Sequence, residues 1–247
     1  MEIHPYLSEF IGTAILLLLG NGVVANVNLK KTYGSGQTKL LLITLAWGLA
    51  VFVAVYITSK SSGAHINPAV TIGLAFAGKF SWGFVPGYIT SQLLGAMFGS
   101  WICYLIYIDH YRATEDEVTV RSTFCTSPAI RNFKNNFFTE AFGTFILVFG
   151  VLFIVNPNID LNNSPIGNFG IGSLEALPVG LLVIVIGMTL GGTTGYAINP
   201  ARDFGPRIIY SFLPRKNKNP DWRYSWIPIL APFTGGTIAG LIYHLIS

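Results

Sequence analysis

The residues with the clearest chemistry stand in two short, similar phrases. The first is SSGAHINPAVTIG (61–73) and the second is TTGYAINPARDFGPR (193–207). Both contain Gly-x-x-Ile-Asn-Pro-Ala, but only the second adds Arg202 and Asp203. An asparagine amide donates and accepts hydrogen bonds, whereas a guanidinium only donates and is always charged. The two phrases therefore predict two related polar elements, one of which carries a fixed positive charge.

The chain around these phrases is strongly apolar. Its 247 residues are 51% hydrophobic and 11% charged, and the mean hydropathy is +0.55. Soluble domains have about 25% charged residues. Lys, Arg, Asp and Glu are absent from 10–29, 40–59, 80–108, 141–159 and 176–201. Runs of about 20 apolar residues match the thickness of a bilayer, so the composition predicts an integral membrane protein surrounded by lipid.

Six full spans are predicted, at about 7–27, 40–59, 84–107, 137–156, 175–194 and 224–246. Two further apolar segments, about 67–77 and 199–212, are too short to cross, and each begins with Asn-Pro. Asparagine suits the N-cap and proline the first helical position, so both segments are predicted to be half-helices. Glycine pairs that let helices approach closely in lipid are Gly95/Gly99, Gly187/Gly191 and Gly236/Gly240.

The chain also repeats itself. EFIGTAIL (9–16) and EAFGTFIL (140–147) share five of eight residues at an offset of 131, and the two Asn-Pro-Ala triplets lie 132 apart. We therefore expect a single channel domain made of two homologous halves, about 1–125 and 126–247. Each half has three spans, so the second half enters from the opposite side. The predicted fold class is an all-α membrane protein with six transmembrane helices and two half-helices in an inverted tandem repeat, which places the transport site near the midplane.

Half-helices at membrane depth must be buried in protein or line a watery cavity. If they abut from opposite faces, Asn67 and Asn199 meet at the centre beside two positive dipole ends. The approach segments 63–66 and 195–198 are expected to run extended and to present pore-lining carbonyls, namely those of Gly63, Ala64, His65, Ile66, Ala197 and Ile198. Such a lumen suits a neutral hydroxylated solute and repels cations.

These motifs resemble those of the major intrinsic protein family, the aquaporins and glycerol facilitators, along the whole chain. The paired triplets, each preceded by Gly-x-x-Ile, carry the resemblance, and NPARDFGPR is similar to the glycerol-facilitator form. The resemblance implies an aquaporin-like fold, a homotetramer with one pore per subunit and passive flow, with no cofactor and no metal. It identifies Arg202, directly after the second triplet, as the selectivity-filter arginine.

The other filter positions that the resemblance implies are Trp47, Gly187 and Tyr196. Water-selective members have Phe, His and a small residue there, so Trp, Gly and Tyr indicate an apolar corner for the carbon chain of a polyol. Tyr196 departs from the phenylalanine that is usual in glycerol facilitators. The residues expected to support the half-helices are Glu9 and Glu140, which hold the carbonyl-presenting segments, and Pro68, Pro200 and Asp203.

The leading interpretation is a passive channel for glycerol and similar neutral polyols that also passes water and excludes ions and protons. A water-selective aquaporin is the alternative within the same class, and an ion-coupled secondary transporter is a reading from another class. An enzyme is not expected, because the spans offer no Ser/His or paired-Asp catalytic pair. The basic residues behind the net charge of +4 lie in short loops, so nucleic-acid binding is not expected either.

Charge distribution bears on orientation. Of fifteen Lys and Arg residues, only Lys60 and Lys79 lie on the side of the termini outside the pore motif. The positive-inside rule would place both termini outside, whereas the family resemblance implies cytoplasmic termini. We follow the family, because so specific a fold constrains topology more than loop charge does. We expect a multi-pass protein of a plasma or bacterial inner membrane.

Overall fold

The computed structural model describes residues 3–36, 39–154 and 172–247, and over these residues the chain is helical without strands. In chain order the helices are α1 (Pro5–Asn28), α2 (Lys39–Ser62), α3 (Pro68–Phe76), α4 (Val85–Ile106), α5 (Ile108–Ala113), α6 (Glu117–Ser122), α7 (Phe133–Phe153), α8 (Leu177–Thr194), α9 (Pro200–Phe212), α10 (Trp222–Ser225) and α11 (Ile227–Ile246). Short 3₁₀ turns, Trp82–Phe84 and Gly172–Ala176, precede α4 and α8.

The prediction of six spans is confirmed, since six helices within the described ranges are long and apolar enough to cross a membrane. The fourth span begins at Phe133 rather than near residue 137. Its predicted last positions, 155–156, lie outside the described residues.

The two half-helices are α3 and α9, and each begins as the sequence predicts. Asn67 and Asn199 precede them with φ of −156° and −152°, and each asparagine side chain caps its helix. Pro68 and Pro200 follow at the first helical position, where the missing N–H costs nothing. The nine residues of α3 rise about 14 Å, roughly half of the hydrocarbon thickness, so this element crosses only about half of the membrane.

The two halves use the same helix pairings. In the first half α1 packs against α2 and α4, and in the second α7 packs against α8 and α11. Gly95 and Gly99 of α4 lie against backbone carbonyls of α1, and Gly236 and Gly240 of α11 lie against backbone carbonyls of α3. A Cβ atom at any of these positions would collide with a carbonyl oxygen, so these helices cross at the backbone distance that only glycine permits.

Candidate functional site: a central lumen

Asn67 and Asn199 meet where the two half-helices abut. Asn67 Nδ2 donates to the carbonyl oxygen of Ile198, and Asn199 Nδ2 donates to that of Ile66, both at 2.9 Å. Each Oδ1 atom accepts backbone N–H groups of its own half-helix. An amide nitrogen has two hydrogens, so each asparagine keeps one donor that these cross-links do not use. The carbonyls of Ile66 and Ile198, predicted to face solute, instead bind the opposite asparagine.

The approach segments do not run extended, which corrects the sequence-based expectation. Ala64, Ile66, Tyr196 and Ile198 have φ of 51°, 44°, 38° and 41°. Positive φ is unfavourable for residues with a Cβ atom, most of all for β-branched isoleucine. The surrounding structure must therefore hold both segments in this conformation.

Two buried carboxylates hold them. Glu9 accepts the backbone N–H groups of His65 (2.9 Å) and Ile66 (2.7 Å). Glu140 accepts those of Ala197 (3.0 Å) and Ile198 (2.9 Å) in the second half. Successive N–H groups of an extended strand point to opposite sides, so two of them can reach one carboxylate only if the backbone leaves the extended conformation.

A lumen borders both asparagines. On the side of the chain ends it widens into a cavity of about 110 Å³, lined in part by Gly63, Ala64, His65 and Ile66. On the side of Arg202 lies a smaller cavity of about 40 Å³, here called the narrow cavity. One water needs roughly 10–15 Å³ of such space, so the narrow cavity has room for only about three or four waters. The residues that line both cavities are Leu16, Val51, Asn67, Leu147, Val183 and Asn199, and Ala197 and Ile198 line the narrow one.

Trp47, Tyr196 and Arg202 line the narrow cavity together. The Arg202 guanidinium lies over the Trp47 ring, with 4.2 Å between its Cζ atom and the ring centroid. Among the described residues, the Arg202 side chain has no hydrogen-bond partner, and only its backbone N–H is bonded, to Asn199. The cation–π contact therefore leaves the guanidinium donors available to a molecule in the lumen.

Arg207, one and a half turns further along α9, is in the opposite situation. Its side chain is fully buried and donates to Asp203 at 2.9 Å through Nε and at 2.7 Å through Nη2. Its remaining donors meet the carbonyls of Thr126, Pro220 and Asp221. Asp203 is likewise buried and lines neither cavity. This ion pair is therefore internal to the protein, and Arg202 supplies the charge in the lumen.

A second ion pair, between Arg131 and Asp221, lies outside the membrane spans. Burial acts to raise the pKa of Asp221, but the Arg131 hydrogen bonds outweigh burial and hold this pKa below its ordinary value. The pair therefore stabilises the fold at neutral pH, and this contribution is lost as the pH falls through the lowered pKa.

Gly187 does not line either cavity, although the sequence predicts it in the filter ring. A Cβ atom there would lie 3.0 Å from Tyr196 Cζ and 2.9 Å from Thr44 Cγ2. A Cβ atom on Gly191 would also collide with the Tyr196 ring. Gly187, predicted to bring helices together, lies against Thr44 of α2, and the pair Gly187/Gly191 also makes room for the Tyr196 ring.

The whole chain is similar in sequence to proteins of one family. A family model described as Major intrinsic protein matches residues 2–243. The chain belongs to the major intrinsic protein family. A probable glycerol uptake facilitator protein of Thermotoga maritima is 50% identical over 240 residues, which cover 97% of each chain. A glycerol uptake facilitator protein of Bacillus subtilis is 45% identical, over 96% of this chain and 82% of the relative.

A solved structure agrees in fold. The X-ray structure of the aquaglyceroporin from Plasmodium falciparum aligns with a TM-score of 0.82 at 34% identity, over 97% of this chain and 94% of that chain. This major intrinsic protein is accordingly a multi-pass membrane protein with six spans and two half-helices.

This major intrinsic protein also contains an apolar ring that sequence reasoning missed. The positions 132 residues away from Trp47, Gly187, Tyr196 and Arg202 are Val179, Val55, Ala64 and Val70, and all four line the wider cavity. The repeat offset alone could have identified them. These four counterparts carry no charge, so the two cavities differ in charge and in volume.

Proposed function

We propose that this chain is a passive channel for glycerol and similar small neutral polyols, that it also passes water, and that it excludes ions and protons. The observation that carries the proposal is the state of Arg202, whose charged donors border a narrow lumen and have no partner among the described residues. Relatives named as glycerol uptake facilitators support the choice of solute. A channel of this kind catalyses no reaction and needs no cofactor or metal.

The proposed selectivity filter is Trp47, Gly187, Tyr196 and Arg202. Arg202 donates hydrogen bonds to solute hydroxyls, while the faces of Trp47 and Tyr196 border the carbon chain. Gly187 acts indirectly, because it leaves room for the Tyr196 ring to lie back from the lumen. A polyol that loses water at the filter thus regains hydrogen bonds on one side and apolar contact on the other.

Asn67 and Asn199 form the proposed central constriction. Each has one donor outside the cross-links, and the positive ends of both half-helices point at the same place. A monovalent cation about 4 Å from an unpaired guanidinium meets roughly 4 kcal/mol of repulsion at an effective dielectric constant of about 20, or about a thousandfold in rate. Arg202 and the two helix ends therefore exclude cations without closing the pore to neutral solutes.

The backbone carbonyls of Gly63, Ala64, His65 and Ala197 are the proposed acceptors for solute hydroxyls. Those of Ile66 and Ile198 act mainly by fixing the asparagines. Glu9 and Glu140 hold the segments in place, together with Pro68, Pro200 and Asp203 at the half-helices.

The buried carboxylates Glu9 and Glu140 favour a channel over an ion-coupled transporter. Glu9 accepts four hydrogen bonds, from His65, Ile66, Ser62 and Gln92, and Glu140 accepts two from backbone N–H groups. Neither carboxylate lines the lumen cavities. A coupling site needs a carboxylate that a substrate or ion can reach, whereas these two are bonded within the protein.

The proposed assembly is a homotetramer with one lumen per subunit, in the plasma or bacterial inner membrane, with both termini in the cytoplasm. Two homologous halves, about 1–125 and 126–247, form one domain. The repeated helix pairings of α1, α2 and α4 with those of α7, α8 and α11 support this division.

Liposomes containing the purified protein test the function. We expect glycerol flux well above that of empty liposomes, linear in glycerol concentration and unchanged by an imposed proton gradient. Water flux should also rise. Water flux without glycerol flux would favour the water-selective alternative, and saturable flux driven by the proton gradient would favour the transporter.

A further inference from the structure

The connection between α4 and α7 is fastened to α9 and to the residues that follow it. Among the described residues, the contacts that fasten it include Glu117 with Tyr210 and Arg215, Arg121 with the carbonyl of Asn219, Thr126 with Asp203 and Arg207, and Arg131 with Asp221. The connection joins the two halves of the chain and lies on the same side as Arg202. Of these contacts, the one made by Thr126 involves a chain neighbour of Arg202, namely Asp203.

Thr126 uses all of its polar atoms at this point. Its backbone N–H and its hydroxyl both donate to Asp203 Oδ2 at 2.7 Å, and its carbonyl accepts from Arg207 Nη2 at 3.0 Å. Its methyl carbon lies 3.3 Å from the position that a Cβ atom on Gly195 would occupy. Thr126 is 6% exposed. One residue of the connection is therefore hydrogen-bonded to the position after Arg202 and leaves no room for a side chain at the position before Tyr196.

Arg207 of α9 binds Asp203, and the N–H group of Gly195 donates to the carbonyl of Gly191 at the end of α8, so Thr126 adds a link from outside these two helices. The Arg202 guanidinium has no hydrogen bond to the described residues, so its place depends on its backbone and on the Trp47 ring. Glu140 holds Ala197 and Ile198 but makes no hydrogen bond to Asp203 or Gly195.

In the first half, the residue equivalent to Asp203 has a different side chain and different partners. The counterpart of Asp203, at the offset of 132, is Thr71. Its hydroxyl is bonded to His65 (3.1 Å) and Gln92 (3.0 Å), both within its own half. In the second half a carboxylate stands at this position, and besides Arg207 its partner is Thr126, which lies in the connection where the two halves meet.

We propose that Thr126 is a positioning residue for the filter, which fixes the backbone next to Arg202 through its hydrogen bonds to Asp203 and packs beside the segment that leads to Tyr196 at Gly195. This inference rests on the proposed function, because it takes Tyr196 and Arg202 as filter residues. It adds that the connection between α4 and α7, and not the repeat alone, sets the selectivity of the lumen on the side of Arg202.

The test compares three variants with the parent in liposomes. Thr126→Val keeps the shape of the side chain and removes the hydroxyl, Thr126→Ser keeps the hydroxyl, and Glu117→Ala opens a fastening point away from the filter. The readouts are amide hydrogen exchange over residues 195–204 and the glycerol-to-water permeability ratio. A hydrogen bond to a charged group affects stability enough that we expect about tenfold faster exchange in Thr126→Val.

We expect the permeability ratio to change at least about twofold in Thr126→Val, with Thr126→Ser and Glu117→Ala close to the parent. Unchanged exchange or an unchanged ratio in Thr126→Val would overturn the proposal. An equal change in Glu117→Ala would overturn it too, because general docking of the connection would then be the cause. If Thr126→Val does not fold, Thr126→Ala replaces it. A parent that passes no glycerol refutes the proposed function, while the exchange data still decide whether Thr126 positions the segment.

Discussion

Arg202 and Arg207 lie on one half-helix and have opposite surroundings. Arg207 gives its donors to Asp203 and to three backbone carbonyls, so its charge is neutralised inside the protein. Arg202 has the Trp47 ring beside it and the lumen in front of it. Burying a charge without a partner lowers the stability of the fold. Such an unpaired charge is typical of a functional site, where the charge acts on a solute in the lumen.

Gly187 provides a test of how the filter is shaped. In Gly187→Ala the new methyl group would lie about 3 Å from Tyr196 and Thr44, so we expect the ring to move towards the lumen. Glycerol permeability should then fall several-fold more than water permeability, since a barrier of about 1.4 kcal/mol is tenfold in rate.

The matched control is Gly192→Ala on the same helix, where a Cβ atom would meet nothing within 4 Å. Paired osmotic water and glycerol measurements in liposomes give the ratio for both variants. Equal ratios in the two variants would mean that the space around Tyr196 does not set solute size.

At the scale of elements, the two re-entrant segments show what local sequence can and cannot predict. Asn followed by Pro is a local signal, and it correctly predicted where α3 and α9 begin. The left-handed backbone at Ile66 and Ile198 had no local signal, because it depends on Glu9 and Glu140, which lie more than 50 residues away. Periodicity and capping cannot report such distant bonds.

Glu140→Gln tests the support of the second segment. The amide group would place a donor against one of two backbone N–H groups, so a buried hydrogen bond is lost at a cost of about 1–3 kcal/mol. We expect a Tm lower by roughly 2–4 °C for each kcal/mol in a chain of this size. The control is Glu115→Gln, an exposed carboxylate in the connection, which should leave Tm unchanged. A Tm equal to that of the control would show that Glu140 does not stabilise the segment.

At the scale of the whole molecule, the inverted repeat relates the two cavities of the lumen. They differ because equivalent positions in the two halves carry different residues. The repeat offset correctly predicted six spans and the paired half-helices, because two landmarks share it. It did not predict that Gly187 would face Tyr196 instead of the lumen, since spacing gives a position along a helix but not the direction of its Cβ bond. Tertiary packing decides that direction.

The orientation in the membrane is a prediction for the whole chain. Loop charge favours external termini and the family resemblance favours cytoplasmic ones. Following the family resemblance, we expect a reporter fused after Ser247 to be active only in the cytoplasm. A second reporter inserted near Lys31 should show the opposite location. Activity of the terminal reporter outside the cell would mean that loop charge sets the topology.

The most direct test of the central claim is proton leak through Arg202→Val, measured with a pH-sensitive dye inside liposomes alongside glycerol flux. Arg112→Val, at an exposed arginine away from the lumen, is the control. Removing roughly 4 kcal/mol of repulsion at the narrow cavity should raise proton leak about tenfold or more, while glycerol flux is kept or increased. An Arg202→Val channel that conducts glycerol and stays as tight to protons as Arg112→Val would contradict the account.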